Sequence, residues 1–231
     1  EGHIYFLADD VLKGRETGTP ENKIAAAYLA NTLRSYGVKP NPITGTYYQP
    51  VYLEKVSPPT LKELTVNKTV LKDFVVMDVA PINYNQPAVF MGYGLEADYK
   101  DKDVKGKVVL IKAGSSETTD AQGAFRMVSQ KREAAQKAGA IGIVELLDVQ
   151  EQMWGFIDHN FNASSLKVAT NETADTQAKL PFIWVKDTNG SMLAEIEKNK
   201  INELTLALGD SEKSKITSQN VIGVVEGTDP K

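Results

Sequence analysis

Three short runs limit the fold more than any other feature: KVVLIK at Lys107–Lys112, AIGIVELL at Ala140–Leu147 and LPFIWV at Leu180–Val185. Each is brief, almost continuously apolar and enriched in β-branched or aromatic residues, which is the pattern of a strand. AIGIVELL reads as a buried one. Further strands are predicted at Leu61–Asn67, Phe74–Val79, Ala88–Tyr93 and Leu204–Leu208. Between them, Ala124–Ala138 reads as a helix with Phe125, Val128 and Ala135 on one side and Gly139 as its cap. Met192, Leu193 and Ile196 mark a short helix capped by Asp187 or Thr188. Asp148–Lys179 is polar, lacks periodicity and reads as loop. Residues 209–216 (GDSEKSKI) read as a linker. No internal repeat is visible.

This strand-rich stretch starts at the punctuation Ser57-Pro58-Pro59 and is bracketed by different material. Ahead of it, Thr19 suits an N-cap, Pro20 the first helical position, and Glu21 adds charge to the first turn. Ala25, Leu29, Leu33 and Tyr36 then form one apolar stripe, and Gly37 ends the helix. A strand is predicted over Thr46–Val56, and Pro50 makes it an edge or bulged strand. Behind the stretch, Ser218–Glu226 reads as a buried strand and Gly227-Thr228-Asp229-Pro230 as a turn. The bracketing predicts a domain inserted into another: 1–56 as the first flank, with a helix at about 20–36 and a strand at about 46–56, 57–213 as the insert, and 214–231 as the returning strand. The flanks would then belong together in space.

The 231 residues are 42% hydrophobic and 24% charged, so a packed core is expected. A net charge of −4 without a Lys/Arg block gives no footprint for nucleic acid. No run approaches the ~20 apolar residues of a membrane span. The sequence opens on Glu1, so any signal peptide is out of view. With no cysteine, disulfides, thiol catalysis and cysteine metal sites are excluded.

The residues offer little chemistry. The two histidines, His3 and His159, lie in no H-x-x-x-H or H-x-D pattern. His3 is expected to be mobile, and His159, beside Asp158, to be an exposed loop residue. No G-x-S-x-G elbow presents a serine. Asp9-Asp10 is read as a solvated pair. Gly92-Tyr93-Gly94-Leu95-Glu96-Ala97 matches G-x-G-x-x-A, yet the segment after it has no apolar stripe, so it reads as a glycine turn ending a strand. Asn67, Asn162, Asn171 and Asn189 begin N-x-[ST] triplets, which matter only in a secreted eukaryotic protein. Trp154, Phe156 and Phe161 read as anchors of the polar loop or as a contact surface.

Taken in order, several segments resemble one family. LADDVLKGRETGTPENKIAAAYLANTLRSYGVKP (Leu7–Pro40), with Asp10, Leu12, Gly14, Arg15, Gly18, Thr19 and Gly37–Pro40, resembles the N-terminal segment of M28-family zinc aminopeptidases. VFMGYG (Val89–Gly94), VKGKVVLIK (Val104–Lys112), KREAAQKAGAIGIV (Lys131–Val144) and LPFIWVK resemble the protease-associated, or PA, domain often inserted in such enzymes. SQNVIGVVEGTDPK resembles the peptidase strand that resumes after the insert. The resemblance implies an α+β, strand-rich fold: a PA β-sandwich or open barrel with flanking helices, plus a helix and edge strands of an absent α/β peptidase domain. It implies no catalytic residue and no metal ligand in this chain, with zinc held by the absent domain; no binding residue is singled out. It implies a peptidase domain in cis, peptide or protein substrates, a secreted, periplasmic or cell-surface location, and homodimer contacts through exposed edge strands. Two other readings compete: an autonomous peptide- or protein-binding PA module, and an enzyme complete in these residues.

Overall fold

The computed structural model describes residues 1–169, 180–199 and 201–227. In chain order its helices and strands are α1 (Gly2–Leu7), α2 (Pro20–Ser35), β1 (Tyr48–Pro59), β2 (Lys62–Val66), β3 (Thr69–Val70), β4 (Phe74–Asp78) and β5 (Ile82–Phe90). There follow β6 (Val108–Lys112), α3 (Ala121–Lys137), β7 (Gly142–Leu147), α4 (Glu151–Phe161) and β8 (Ser165–Val168). The last are β9 (Phe182–Lys186), α5 (Ser191–Lys198), β10 (Asn202–Leu208) and β11 (Ser211–Val221). The described residues divide into two compact units: 1–56, 165–169 and 213–227 in the first, and 57–164, 180–199 and 201–212 in the second.

The second unit is a mixed α+β half-barrel. Its described strands form one curled sheet in the order β3-β2-β10-β5-β6-β7-β9-β4. Strands β5, β6, β7 and β9 run parallel, and antiparallel pairs flank them on both sides. The central strands bury both faces, so their sequences are apolar without alternation. Val108, Leu110, Val144, Leu146, Ile183 and Val185 point into the curl, against Leu64 and Leu206. Val109, Ile111, Ile143, Leu147, Phe182 and Trp184 point outward, beneath Ala124 and Val128 of α3 and Trp154 and Ile157 of α4.

Local chemistry sets the helix ends. The Asp120 carboxylate accepts the Gly123 N–H at 2.7 Å and starts α3. Gly139, at φ +82°, ends it: its N–H donates to Gln136 O and the Ala140 N–H donates to Ala135 O, a Schellman closure. Buried Asp187 accepts the N–H groups of Met192 and Leu193 at the start of α5.

In the first unit, α2 begins at Thr19, whose hydroxyl accepts the Asn22 N–H at 3.3 Å. It ends at Gly37 with the same closure as α3: Gly37 N–H to Arg34 O and Val38 N–H to Leu33 O. The described sheet here has the order β11-β1-β8. The two flanks of the sequence meet in it: Lys39 and Val224 exchange backbone hydrogen bonds, and the Ile222 N–H donates to Tyr47 O. β1 is the middle strand of that sheet rather than the edge strand expected from Pro50; Pro50 lies outside the stretch Leu53–Val56 that pairs with β8, so its missing N–H leaves that ladder intact.

Several expectations need correction. Part of the polar loop is helix, because Trp154, Ile157 and Phe161 recur at helical spacing and two of them are buried; β8 follows, and residues 170–179 lie outside the described set. The supposed linker is the start of β11, since backbone pairing with β1 needs no apolar side chains. The strand ends at Val221; beyond it Val224 makes one bridge and Val225 is exposed. The last turn, from Thr228, lies outside the described residues. The buried face of α2 is Ala25, Ala26 and Ala30, whereas Leu29 and Tyr36 are exposed. Phe125 is also exposed; the buried stripe of α3 runs Ala124, Val128, Lys131, Ala135.

Two glycines test this packing. A methyl at Gly114, φ +68°, would fall 1.9 Å from the Thr118 backbone oxygen, whereas at Gly139 the nearest atom is 3.4 Å away. Gly139→Ala is expected to cost about 1 kcal/mol, the left-handed penalty alone, and Gly114→Ala about 3 kcal/mol or more, because backbone must move. Urea unfolding of the two variants measures the difference.

Candidate functional site

Across the half-barrel, the register aligns Ile111, Glu145, Trp184 and Val75 in one row on β6, β7, β9 and β4. Glu145 is thus a carboxylate in an apolar row, and both it and Lys131 of α3 have 0% of the side chain exposed. The Lys131 ammonium donates to Glu145 Oε1 and, at 2.9 Å, to the Lys112 carbonyl. The Trp184 indole N–H donates to Glu145 Oε2. Burial pulls the Lys131 ammonium below the usual lysine range and pushes the Glu145 carboxyl above its own, while each partner opposes the other's shift. Every polar group of the node has a partner, which is the condition for tolerating charge in a core. No substrate can reach it, so its role is to fix α3 on the sheet. The sequence carried the signal: an acid inside AIGIVELL, and a lysine in the stripe of an amphipathic helix.

The other candidates are scattered. His3 sits on α1, with Nδ1 2.8 Å from the Tyr28 hydroxyl and Nε2 2.8 Å from the Tyr36 hydroxyl, so it is held rather than free. His159 lies on α4, not in a loop, and is exposed. Asp158 accepts from the Asn162 amide. Asp9 accepts the Val11 N–H, and Asp10 opens a 3-10 turn. The glycine turn follows β5 and leads to a 3-10 turn, Glu96–Tyr99; a methyl at Gly94 would meet Ile111 at 2.8 Å. Of the N-x-[ST] asparagines, Asn67 is bonded to Asn202 and Glu203, Asn162 to Lys62, and Asn189 is exposed; Asn171 lies outside the described residues. Trp154 is buried, Phe161 stands 6.2 Å from the Trp184 ring, and Phe156 is exposed. Among the described residues, no group of three or more His, Asp or Glu could hold a metal ion, and no helix is long and apolar enough to cross a membrane.

The model of the PA domain family matches residues 75–193. The chain belongs to the PA domain family. No curated protein matches it. Among solved structures, an aminopeptidase from Aneurinibacillus sp. strain AM-1 shares the fold, with a TM-score of 0.60 and 20% identity over 96% of this chain and 46% of that one. A peptidase M28 precursor from Shewanella amazonensis SB2B gives a TM-score of 0.44 and 16% identity, over 96% of this chain and 50% of that one. This chain therefore spans about half the length of both.

In the half-barrel that includes the PA match, the described strands do not close the sheet: a groove of about 500 Å³ lies beside β2, β3 and the start of β4, lined by Lys62, Leu64, Val70, Leu71, Lys72 and Phe74 among others. The ends of this PA unit are adjacent, because the Thr60 N–H donates to Asp210 O at 3.0 Å and the Gly209 N–H to Leu61 O at 3.0 Å. In the first unit a separate groove of about 600 Å³ runs between α2 and β11, lined by Ala25, Ala26, Leu29 and Val221 among others.

The buried node makes a prediction. Lys131→Met leaves Glu145 buried without its counter-charge and is expected to cost about 3–5 kcal/mol. The double variant Lys131→Met/Glu145→Leu removes both charges and should recover most of that loss. A double-mutant cycle by urea unfolding reads both values.

Proposed function

We propose that this chain is the non-catalytic front portion of a zinc-dependent aminopeptidase of the M28 type, carrying a PA insert. The observation that carries this reading is the reach of the likeness to the Aneurinibacillus aminopeptidase: it covers 96% of the chain, the flanks as well as the PA unit. Two features support it. The ends of the PA unit meet at Thr60 and Asp210, as an insertion requires. The flanks, in turn, leave apolar surface bare, with Leu29 at 41% exposure on α2 and Tyr36 at 67% just past its end. A helix with its large apolar side chains in water is one whose packing partner is elsewhere.

On this reading the peptidase half supplies zinc and all its ligands. The PA unit contributes no bond-breaking group; it restricts access to the cleft or holds peptide and protein chains beside it. The parent enzyme is secreted, periplasmic or cell-surface. Strand β8, exposed at every residue, is an edge of the sheet among the described residues, and a second copy pairs along it when the peptidase half is missing.

The decisive assay is hydrolysis of an aminoacyl-p-nitroanilide. The 231-residue chain with added zinc is expected to release no product above background, and the full-length gene product to turn over, stop with a chelator and recover with zinc. Zinc-dependent turnover by the chain alone, or none by the full-length product, overturns the reading. Carbene footprinting should in addition label Leu29 and Tyr36 in the chain and spare them in the full-length protein.

A further inference from the structure

The gap in the PA half-barrel is a built cleft. Lys62 on β2 extends across to β4, where its ammonium donates to the Phe74 carbonyl at 3.0 Å and lies 4.6 Å from the Phe74 ring centre. The Asn162 side-chain oxygen accepts a further bond from it at 2.7 Å. Two acceptors and a ring face therefore hold one ammonium at the wall of a groove of about 500 Å³. Lys72 lines the same groove, and Glu63 is the acid among its lining residues. Exposed Val70 and half-buried Leu71 supply an apolar wall.

The backbone of β2 faces this groove too. The register sets Lys62 opposite Leu208 and Leu64 opposite Leu206. The Gly209 N–H donates to Leu61 O, so Leu61 faces β10. Alternate residues of an antiparallel strand turn their N–H and C=O to opposite sides. Lys62 and Leu64 accordingly turn theirs away from β10, and the Leu71 N–H already uses Leu64 O from that side. Beyond β3 and Leu71, the β2 edge is unpaired among the described residues, which leaves the Leu64 N–H and the Lys62 N–H and C=O facing the groove.

We propose that this groove takes an extended peptide segment that carries a carboxylate. The segment lies along the unpaired stretch of the β2 edge, bonds to the Lys62 backbone and the Leu64 N–H, sets an apolar side chain on Val70 and Leu71, and places its carboxylate between the Lys62 and Lys72 ammonium groups. Main-chain pairing supplies sequence-independent affinity, and the two lysines supply the choice of charge. Burial pulls the Lys62 pKa down while the charge of Asp158 pulls it up, so an incoming carboxylate would also favour the charged amine. The proposal deepens the peptide-contact half of the function above and rests on that half alone.

The test is NMR titration of the 231-residue chain with three peptides, Ac-VEVEV-NH2, Ac-VQVQV-NH2 and Ac-VKVKV-NH2. The acidic peptide is expected to shift the amides of Lys62, Leu64 and Phe74 saturably, with the neutral peptide weaker by roughly tenfold and the basic one silent. Lys72→Gln, at a side chain with no partner in the described structure, should weaken the acidic peptide about threefold with unfolding unchanged. Lys62→Met should weaken it about tenfold or more. If Lys62→Met also unfolds the chain, Lys72→Gln decides. No saturable shift with the acidic peptide, equal shifts with all three, or wild-type binding by Lys72→Gln overturns the proposal. No peptidase activity enters the assay, so its failure leaves the aminopeptidase reading standing.

Discussion

Burial of β6, β7 and β9 on both faces is the constraint on which the PA unit depends. A strand with two covered faces has no side chain to give to water, so every position must be apolar or fully partnered. Glu145 is the exception that shows the rule. Its carboxylate sits mid-row between Ile111 and Trp184 and is tolerated because Lys131 and the Trp184 indole meet both of its oxygens. The same contacts fix the rotation of α3, since Lys131 lies in line with Ala124, Val128 and Ala135. Register, helix placement and core packing are thus coupled through one polar node.

This construction seals the Lys131–Glu145 pair away from solvent. The histidine of the PA unit, His159, stands on the exposed face of α4. At the unit's surface lie the groove beside β2, the bonded Lys62 ammonium, and exposed Phe125 and Phe156. The first unit differs in kind. Its α2 buries only three alanines, and its larger apolar residues face outward.

Much of the architecture was legible in the sequence. The continuous apolar runs marked β6, β7 and β9 because two-sided burial erases alternation, and Thr19, Gly37, Asp187 and Gly139 announced helix ends through groups that must be bonded or left-handed. What escaped notice had other causes. Helix α4 was masked by polar residues around Trp154, Ile157 and Phe161, and β11 by a sequence whose strand character comes from pairing with β1 rather than from its side chains. The stripe read along α2 picked out its large residues, but the fully buried ones are alanines, with Leu33 half-buried and Leu29 exposed. The Lys131–Glu145 pair left its signal in two charges at apolar positions of a helix and a strand, whereas the Lys62 groove depends on residues far apart in sequence: Lys62 meets Asn162 across 100 positions.

The central claim is that the PA unit is self-sufficient while the flanking unit is not. Urea unfolding of residues 57–212 expressed alone, followed by tryptophan fluorescence at Trp154 and Trp184, tests it most directly. The account predicts one cooperative transition with the midpoint seen for those tryptophans in the 231-residue chain. A fragment that shows no cooperative transition, or unfolds at much lower urea than the whole chain, would contradict it.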